Sequence, residues 1–539
     1  MLRKYWRITV AYFLRPLHLF QTYETNNLRS DLIAGLTVGV IALPQAIAYA
    51  MIAELPPYFG LYAAVVSSII GALWGSSNHL NTGPTNTTSL LVLATLLPVA
   101  ELGSYNFLVA AGLMAVMVGV FKLVLGIARL GELVNFVSDS VVIGFTAGAG
   151  VLIGANQLRH FLSISIPSSA SLLNTINGIA THITETHLPS FAFGLGILLI
   201  IIFLKRFAPK MPGPLLGLVF ATIAVIVFHL DNLGIKIIGE IPRSLPPFVK
   251  LPILNLELIG QLSSGALAVG AISLVEATSI SRTVATKSGQ YLNSNQEFIG
   301  QGLANIVSGF FSGYAVSGSF SRTVVDYEAG GKTSLASVIS GIFILFSILL
   351  IAPLAVFLPR TALASVLLIT AYGMVDRKEI IRIWRGARGD AVIMVITFLA
   401  TLLLPLQFAV LIGILISFAF YILVTSVPRI VPVLPTKDFN HFVPVNNQPI
   451  CSQLGILDIF GDFYFGASSH IEEAIHEHLE ANPSHRYLLL RMLSVNQIDI
   501  SGVHALESIV RSIREEGGDV FMMRTQEPVL EVFKATGFY

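Results

Sequence analysis

An arginine set among hydroxyls, Ser319-Phe320-Ser321-Arg322-Thr323, follows Ser317-Gly318 inside an otherwise apolar stretch. A comparable polar break, Asn81-Thr82-Gly83-Pro84-Thr85-Asn86-Thr87-Thr88-Ser89, interrupts an earlier apolar stretch. Each break precedes a run short enough to be half a membrane helix. A helix that starts part-way through a bilayer aims its free N–H groups and its positive dipole end at that depth. Two such ends facing each other would make an anion site at the midplane, the plan of many secondary transporters.

The individual side chains sharpen this. A full positive charge such as Arg322 is costly inside a membrane and is functional by default. At a helix start it would add to the dipole, with Ser319 and Ser321 as hydroxyl donors. The competing role is an ion pair with Asp326, four residues on. Thr85, Asn86, Thr87 and Thr88 could ligate an anion or, with backbone carbonyls, a cation. Capping accounts for one of the four, not for all. The backbone of 85–87 and of Phe320 to Arg322 would supply the N–H groups. In Leu43-Pro44-Gln45-Ala46-Ile47-Ala48-Tyr49-Ala50 the proline loosens the helix. Gln45 and Tyr49 then share a face, either to bond a substrate or to satisfy a neighbouring helix. Glu276 lies inside another apolar segment and is a candidate proton carrier or sodium ligand. Its structural alternative is a hydrogen bond to a facing half-helix. The glycines of Gly300-Gln301-Gly302 suit close helix packing.

Composition supplies the setting. The 539 residues are 54% hydrophobic and only 12% charged, against about 25% charged in a soluble domain. Mean hydropathy is +0.77. No basic segment fits nucleic acid. The single Cys451 excludes an intrachain disulfide and a cysteine metal site. Neither a metal nor a cofactor is expected, and no nucleophile–base pair or metal cluster points to an enzyme.

Candidate spans fall at 31–53, 58–75, 84–99, 107–128, 136–155, 190–205, 213–229, 264–283, 298–313, 319–330, 334–356, 360–374, 389–404 and 407–426. The expected architecture is an all-α polytopic membrane domain of about fourteen spans. An even count places both termini on one side. Arg3, Lys4, Arg7, Arg15 and Arg29, then Lys205, Arg206 and Lys210, then Arg377, Lys378, Arg382, Arg385 and Arg388 all fall on that side. The positive-inside rule makes it cytoplasmic. Residues 229–260, with Lys236, Arg243 and Lys250, are a mild exception. About 50 residues separate Asp31 from the break at Gly83, and about 50 separate Ala266 from Gly318, as paired inverted halves require.

The tail has a different character. The expected organisation is an arm at 1–30, a membrane domain at 31–428, a linker at 429–445 and a small α/β domain at 446–539. Strands at 455–460, 487–490 and 519–523 alternate with amphipathic helices, which predicts a small parallel sheet. Asp499-Ile500-Ser501-Gly502 joins a strand to a helix. Ser501 there could accept phosphate or bind an anion, with an N-cap role as the leading alternative.

These motifs resemble the sulfate permease (SulP) family of anion transporters over nearly the whole chain. The resemblance rests on the Leu43–Ala50 motif with Pro56-Pro57-Tyr58-Phe59-Gly60-Leu61-Tyr62, on Gly83-Pro84, and on Ser321-Arg322-Thr323 with Ala329-Gly330-Gly331-Lys332-Thr333. The tail resembles the family's STAS domain. The resemblance implies a seven-plus-seven inverted repeat divided into core and gate domains, a homodimer, and an elevator motion of core against gate. Gln45, Tyr49, Thr85, Ser321 and Arg322 fall on positions that line the family's anion site. Glu276 falls where cation-coupled members carry an acid. The polar run after Pro84 differs from the corresponding residues of the motor-type member, so motor behaviour is not expected.

The resulting expectation is a multi-pass protein of the cell membrane with cytoplasmic termini. It would import an inorganic anion, sulfate foremost, with a proton. Sodium-coupled bicarbonate uptake, a dicarboxylate or nucleobase permease of the same architecture, and a non-transporting sensor that binds a cytoplasmic protein through its tail are the alternatives.

Overall fold

The computed structural model describes residues 11–131, 138–166, 172–208, 211–239, 242–436, 441–445 and 451–539. Arg3, Lys4 and Arg7 of the expected arm, Lys210, and the first residues of the expected tail domain lie outside these. The chain forms two compact units, residues 1–417 and 418–539.

The first unit is helical, and each candidate segment carries a helix. In chain order these are α1 (Arg15–Gln21), α2 (Leu28–Ile52), α3 (Pro57–Trp74), α4 (Asn86–Leu96), α5 (Tyr105–Ile127), α6 (Asp139–Phe161), α7 (Leu172–His182), α8 (Leu188–Phe207), α9 (Gly213–Phe228), α10 (Leu256–Ser288), α11 (Ser294–Phe310), α12 (Phe320–Glu328), α13 (Leu335–Ala355), α14 (Arg360–Met374), α15 (Arg377–Gly386), α16 (Arg388–Leu403) and α17 (Leu406–Thr425). Among the described residues, six helical stretches are long and apolar enough to cross a membrane, the longest being Leu256–Ser288. Between the expected spans 136–155 and 190–205, α6 runs on to Phe161 and α7 follows. Asn156 and Gln157 are polar yet buried, so packing keeps that end of α6 helical.

Helices pack in two groups. One contains α2, α3, α5, α11 and α13; the other contains α6, α8, α14 and α16. Missing side chains set the first group's spacing. A Cβ on Gly302 of α11 would stand 2.8 Å from Leu123 N and 2.9 Å from Gly119 O of α5. Both backbones therefore approach as the small-residue pattern suggests.

The two polar breaks meet. Strands β1 (Thr82–Gly83) and β2 (Ser317–Gly318) pair antiparallel, Thr82 opposite Gly318 and Gly83 opposite Ser317. Their remaining polar groups are taken up by neighbouring helices. Ser68 Oγ donates to Thr82 O at 3.0 Å, and Gln301 Nε2 donates to Thr82 Oγ1 at 2.7 Å. Asn305 grips the backbone of Val316, accepting from its N–H at 2.9 Å and donating to its carbonyl at 3.1 Å. Buried backbone in this setting has no water to bond, so these amides and hydroxyls are what permit a break at all.

The second unit is α/β. It contains β3 (Arg429–Pro435), β4 (Phe442–Pro444), β5 (Leu454–Phe460), α18 (Ser468–Ala481), β6 (Tyr487–Ser494), α19 (Ile500–Glu515), β7 (Asp519–Met523) and α20 (Glu527–Thr536). Sheet order is β4-β3-β5-β6-β7, with β5, β6 and β7 parallel. The expected linker at 429–445 is corrected here. Its prolines read as a spacer, but β3 pairs antiparallel with β5 and β4 pairs with β3. Prolines are tolerated towards a sheet edge. The core under the sheet holds Leu457, Ile471, Ile475, Leu488, Leu490, Leu506, Ile509 and Phe533.

Candidate anion and cation sites

Each break places the start of a short helix beside the β1–β2 ladder. α4 has eleven residues and α12 has nine. Their starts differ. Thr85 caps α4 through its side chain, accepting from Thr88 N at 3.4 Å. Ser319 precedes α12 without a side-chain cap bond. The positive end of α12 is thus the more open of the two.

Arg322 lies in the first turn of α12 and is 1% exposed. Its Nε donates to Asn81 Oδ1 at 2.7 Å. Nη1 and Nη2 both donate to Pro84 O at 3.1 Å, and Nη1 also reaches Gln45 Oε1 at 3.4 Å. Gln45 Nε2 in turn reaches Ser321 Oγ at 3.4 Å. The structure therefore joins Gln45, Ser321 and Arg322 around the loop that leads into Thr85. Tyr49 is buried one turn from Gln45 and interacts electrostatically with Arg322. Phe320 is exposed at the first position of α12, so its backbone rather than its ring belongs to the helix start.

The Arg322–Asp326 pair weighed from sequence does not form. Asp326 Oδ2 lies 3.0 Å from His79 Nδ1, and both side chains are buried. Helical side chains lean towards the N-terminus. Arg322 accordingly reaches the 81–84 loop, while Asp326, a turn later, meets the preceding residues of the same loop.

Asn86 and Thr87 serve the other half-helix. Asn86 Oδ1 accepts from Thr87 N at 3.0 Å. Thr87 Oγ1 donates to Glu276 Oε1 at 2.5 Å, and Ser317 Oγ donates to Glu276 Oε2 at 3.2 Å. Glu276 on α10 thus touches the first turn of α4 and strand β2 together. The hydrogen bond to a facing half-helix, named as its structural role, is present.

Lys122 completes this cluster, and the sequence reading passed over it. It is fully buried on α5, donates to Val316 O at 3.1 Å, and interacts electrostatically with Glu276. The signal was available: Lys122 is the charged residue within the apolar segment 107–128. Tyr314 was also missed. Its buried hydroxyl bonds Ser89 Oγ of α4 at 2.8 Å. An aromatic residue between two apolar runs carries no such signal.

In the tail, Asp499 rather than Ser501 caps α19. Asp499 Oδ1 accepts from Gly502 N and Oδ2 from Phe465 N, each at 2.9 Å. Asp499 holds the extended cap conformation, and Ser501 is already inside the helix, exposed on its first turn.

These features define a class: a polytopic helical membrane protein whose interrupted helices meet across a short antiparallel ladder, with a separate α/β tail. Residues 28–397 match the sulfate permease family and residues 446–539 match the STAS domain. The chain belongs to the sulfate permease family. "Probable sulfate transporter 4.2" of Arabidopsis thaliana is 33% identical over 529 residues, covering 94% of this chain and 77% of that protein. The structure of murine Solute Carrier 26 family member A9, an anion transporter in the inward-facing state, superposes with a TM-score of 0.90 at 22% identity, over 98% of this chain and 90% of that one. The transmembrane domain of the cyanobacterial bicarbonate transporter BicA gives 0.65 at 26% identity, over 73% and 98%.

Proposed function

We propose that this chain carries a compact inorganic anion, sulfate foremost, across a membrane together with a proton. The observation that supports it most is Arg322: a buried guanidinium at an uncapped half-helix start, whose hydrogen-bond partners are an amide, a carbonyl and Gln45 rather than a carboxylate. Its positive charge and the open dipole end therefore add. The anion would sit against the first turns of α4 and α12, contacted by Gln45, Tyr49, Thr85, Asn86, Thr87, the Phe320 backbone, Ser321 and Arg322. Glu276 would take up and release the proton, and its bonds to the α4 start and β2 would carry that change to the anion site. The helix group with α2 and α3 would move as an elevator against the group with α6 and α14, in a homodimer with cytoplasmic termini. Exposed Ser501 would be the regulatory position of the tail.

The test is radiosulfate uptake by purified protein in liposomes under an imposed pH gradient. Acid-outside vesicles accumulate sulfate, and Glu276→Gln stops gradient-driven accumulation while anion exchange continues. Full accumulation by Glu276→Gln would remove proton coupling through this residue. A second reading, sodium-coupled bicarbonate uptake, draws on the oxygens of Thr87, Ser317 and Glu276, which are ligands of the type sodium takes. Sodium dependence in the same vesicles separates the two.

A further inference from the structure

A separate cavity of about 300 Å³ lies at the C-terminal ends of α2 and α6 and the start of α14. At about 30 Å³ per water this admits a small solute with part of its hydration shell. Arg159, His160, Lys236, Arg360, Thr361 and Glu54 line it. Three of these are fixed cations, one is an imidazole, and one is a carboxylate. A neighbouring cavity of about 200 Å³ shares Glu54, His160 and Arg360.

The lining is held in place. Arg360 N donates to Lys236 O at 2.9 Å, beside an antiparallel bridge between Ile237 and Pro359, so the two basic residues stand together. Lys236 belongs to the basic stretch that broke the charge asymmetry of the sequence. Arg159 Nη1 donates to Ile166 O at 3.1 Å. Its Nη2 holds the Glu54 carboxylate, which also lies 3.9 Å from His160 Nε2. Glu54 has a φ of 54°, an uncommon left-handed conformation for a non-glycine residue. Two polar atoms at this cavity remain without a hydrogen-bond partner: Arg159 Nε, on a residue 6% exposed, and Thr361 Oγ1, on one 1% exposed.

We propose that this cavity is a second anion site, taking a compact divalent oxyanion, and that the Glu54 carboxylate occupies Arg159 in the anion's absence. A carboxylate and an oxyanion offer the guanidinium the same paired acceptors. An arriving oxyanion displaces Glu54 from Arg159, is held by Lys236 and Arg360, and accepts from Thr361. The exchange releases a tie between α2 of one helix group and α6 of the other. The choice of ligand rests on the transport reading above; the site itself does not.

The test is radiosulfate binding to the purified full chain by equilibrium dialysis, with Arg322→Ala closing the half-helix site. Arg322→Ala still binds one sulfate per chain. Adding Glu54→Gln tightens that binding several-fold, because the competing charge is gone. Adding Lys236→Ala with Arg360→Ala weakens it at least tenfold; both side chains are exposed, so the fold tolerates their loss. Absence of sulfate binding by Arg322→Ala, or binding indifferent to these changes, overturns the proposal. Wild-type uptake is a separate readout: binding here without uptake would sink the transport reading and leave this site standing.

Discussion

Arg322 and Pro84 tie the two half-helices together. Both terminal nitrogens of Arg322, in the first turn of α12, donate to the carbonyl of Pro84, two residues before α4, at 3.1 Å. The charge at the α12 start is thereby positioned by the chain that leads into the opposing helix. Hydrogen bonds to a charged group contribute roughly 1.5–3 kcal/mol each. Arg322 is therefore both a charge for the anion and a clasp for its cradle.

Arg322→Lys keeps the charge and loses the planar fork, which an ammonium cannot reproduce. Loss of about 1.4 kcal/mol is tenfold in affinity. The KM for sulfate uptake should rise at least tenfold with the protein still folded. An unchanged KM would reduce Arg322 to a point charge.

Gly83 carries the same relationship from the other side. A Cβ added there would stand 2.7 Å from Arg322 Nη2, the far end of a flexible side chain. Gly83→Ala should displace the guanidinium and weaken sulfate binding severalfold, at near-normal expression. At Gly318 the added Cβ meets Leu80 Cδ1 at 2.8 Å and the backbone of Ala277 at 3.1 Å. Gly318→Ala should instead lower thermal stability, read by monodispersity after heating.

Lys122 supplies a resident cation beside Glu276. Lys122→Met keeps the volume and removes the charge. Val316 O retains its bond from Asn305 Nδ2 at 3.1 Å, so the ladder stays paired. The carboxylate with its two hydroxyl neighbours then lacks a counter-charge. Sulfate uptake by Lys122→Met should become stimulated by external sodium where the wild type is not. Identical sodium responses would show that Lys122 does not set the coupling ion.

Asp326 tests the pairing directly, because its partner is His79 and not Arg322. Asp326→Ala leaves buried His79 without that partner, at a cost of about 1–3 kcal/mol. The apparent melting temperature should fall while the KM for sulfate stays within about twofold, a change of roughly 0.4 kcal/mol. A large KM change at unchanged stability would reinstate the link to Arg322.

In the tail, Asp499→Ala removes the cap of α19 and the bond to Phe465 N. Caps are worth about 0.5–2 kcal/mol. Urea unfolding of residues 429–539 should show a loss near the upper end. Ser501→Ala, at an exposed position, should stay within about 0.5 kcal/mol.

Much of this protein is local, and its sequence alone determined those parts. Pro84 lacks an N–H and keeps the break before it from running on as helix, and the hydroxyl run after it starts a new one. Apolar length set the helical segments, and alternating strand and helix periods set the tail. The prolines of 429–435 misled because a proline in a strand next to the sheet edge and one in a spacer look alike in one dimension. What only the tertiary structure decided is which buried polar groups share a partner. Arg322 and Asn81 are 241 positions apart, Thr87 and Glu276 are 189 apart, and His79 and Asp326 are 247 apart. Each of these groups must find a partner once water is excluded. Several geometrically possible partners exist for every one of them, and residue spacing along the chain does not rank them. Helix packing does, by deciding which side chain arrives within 3 Å.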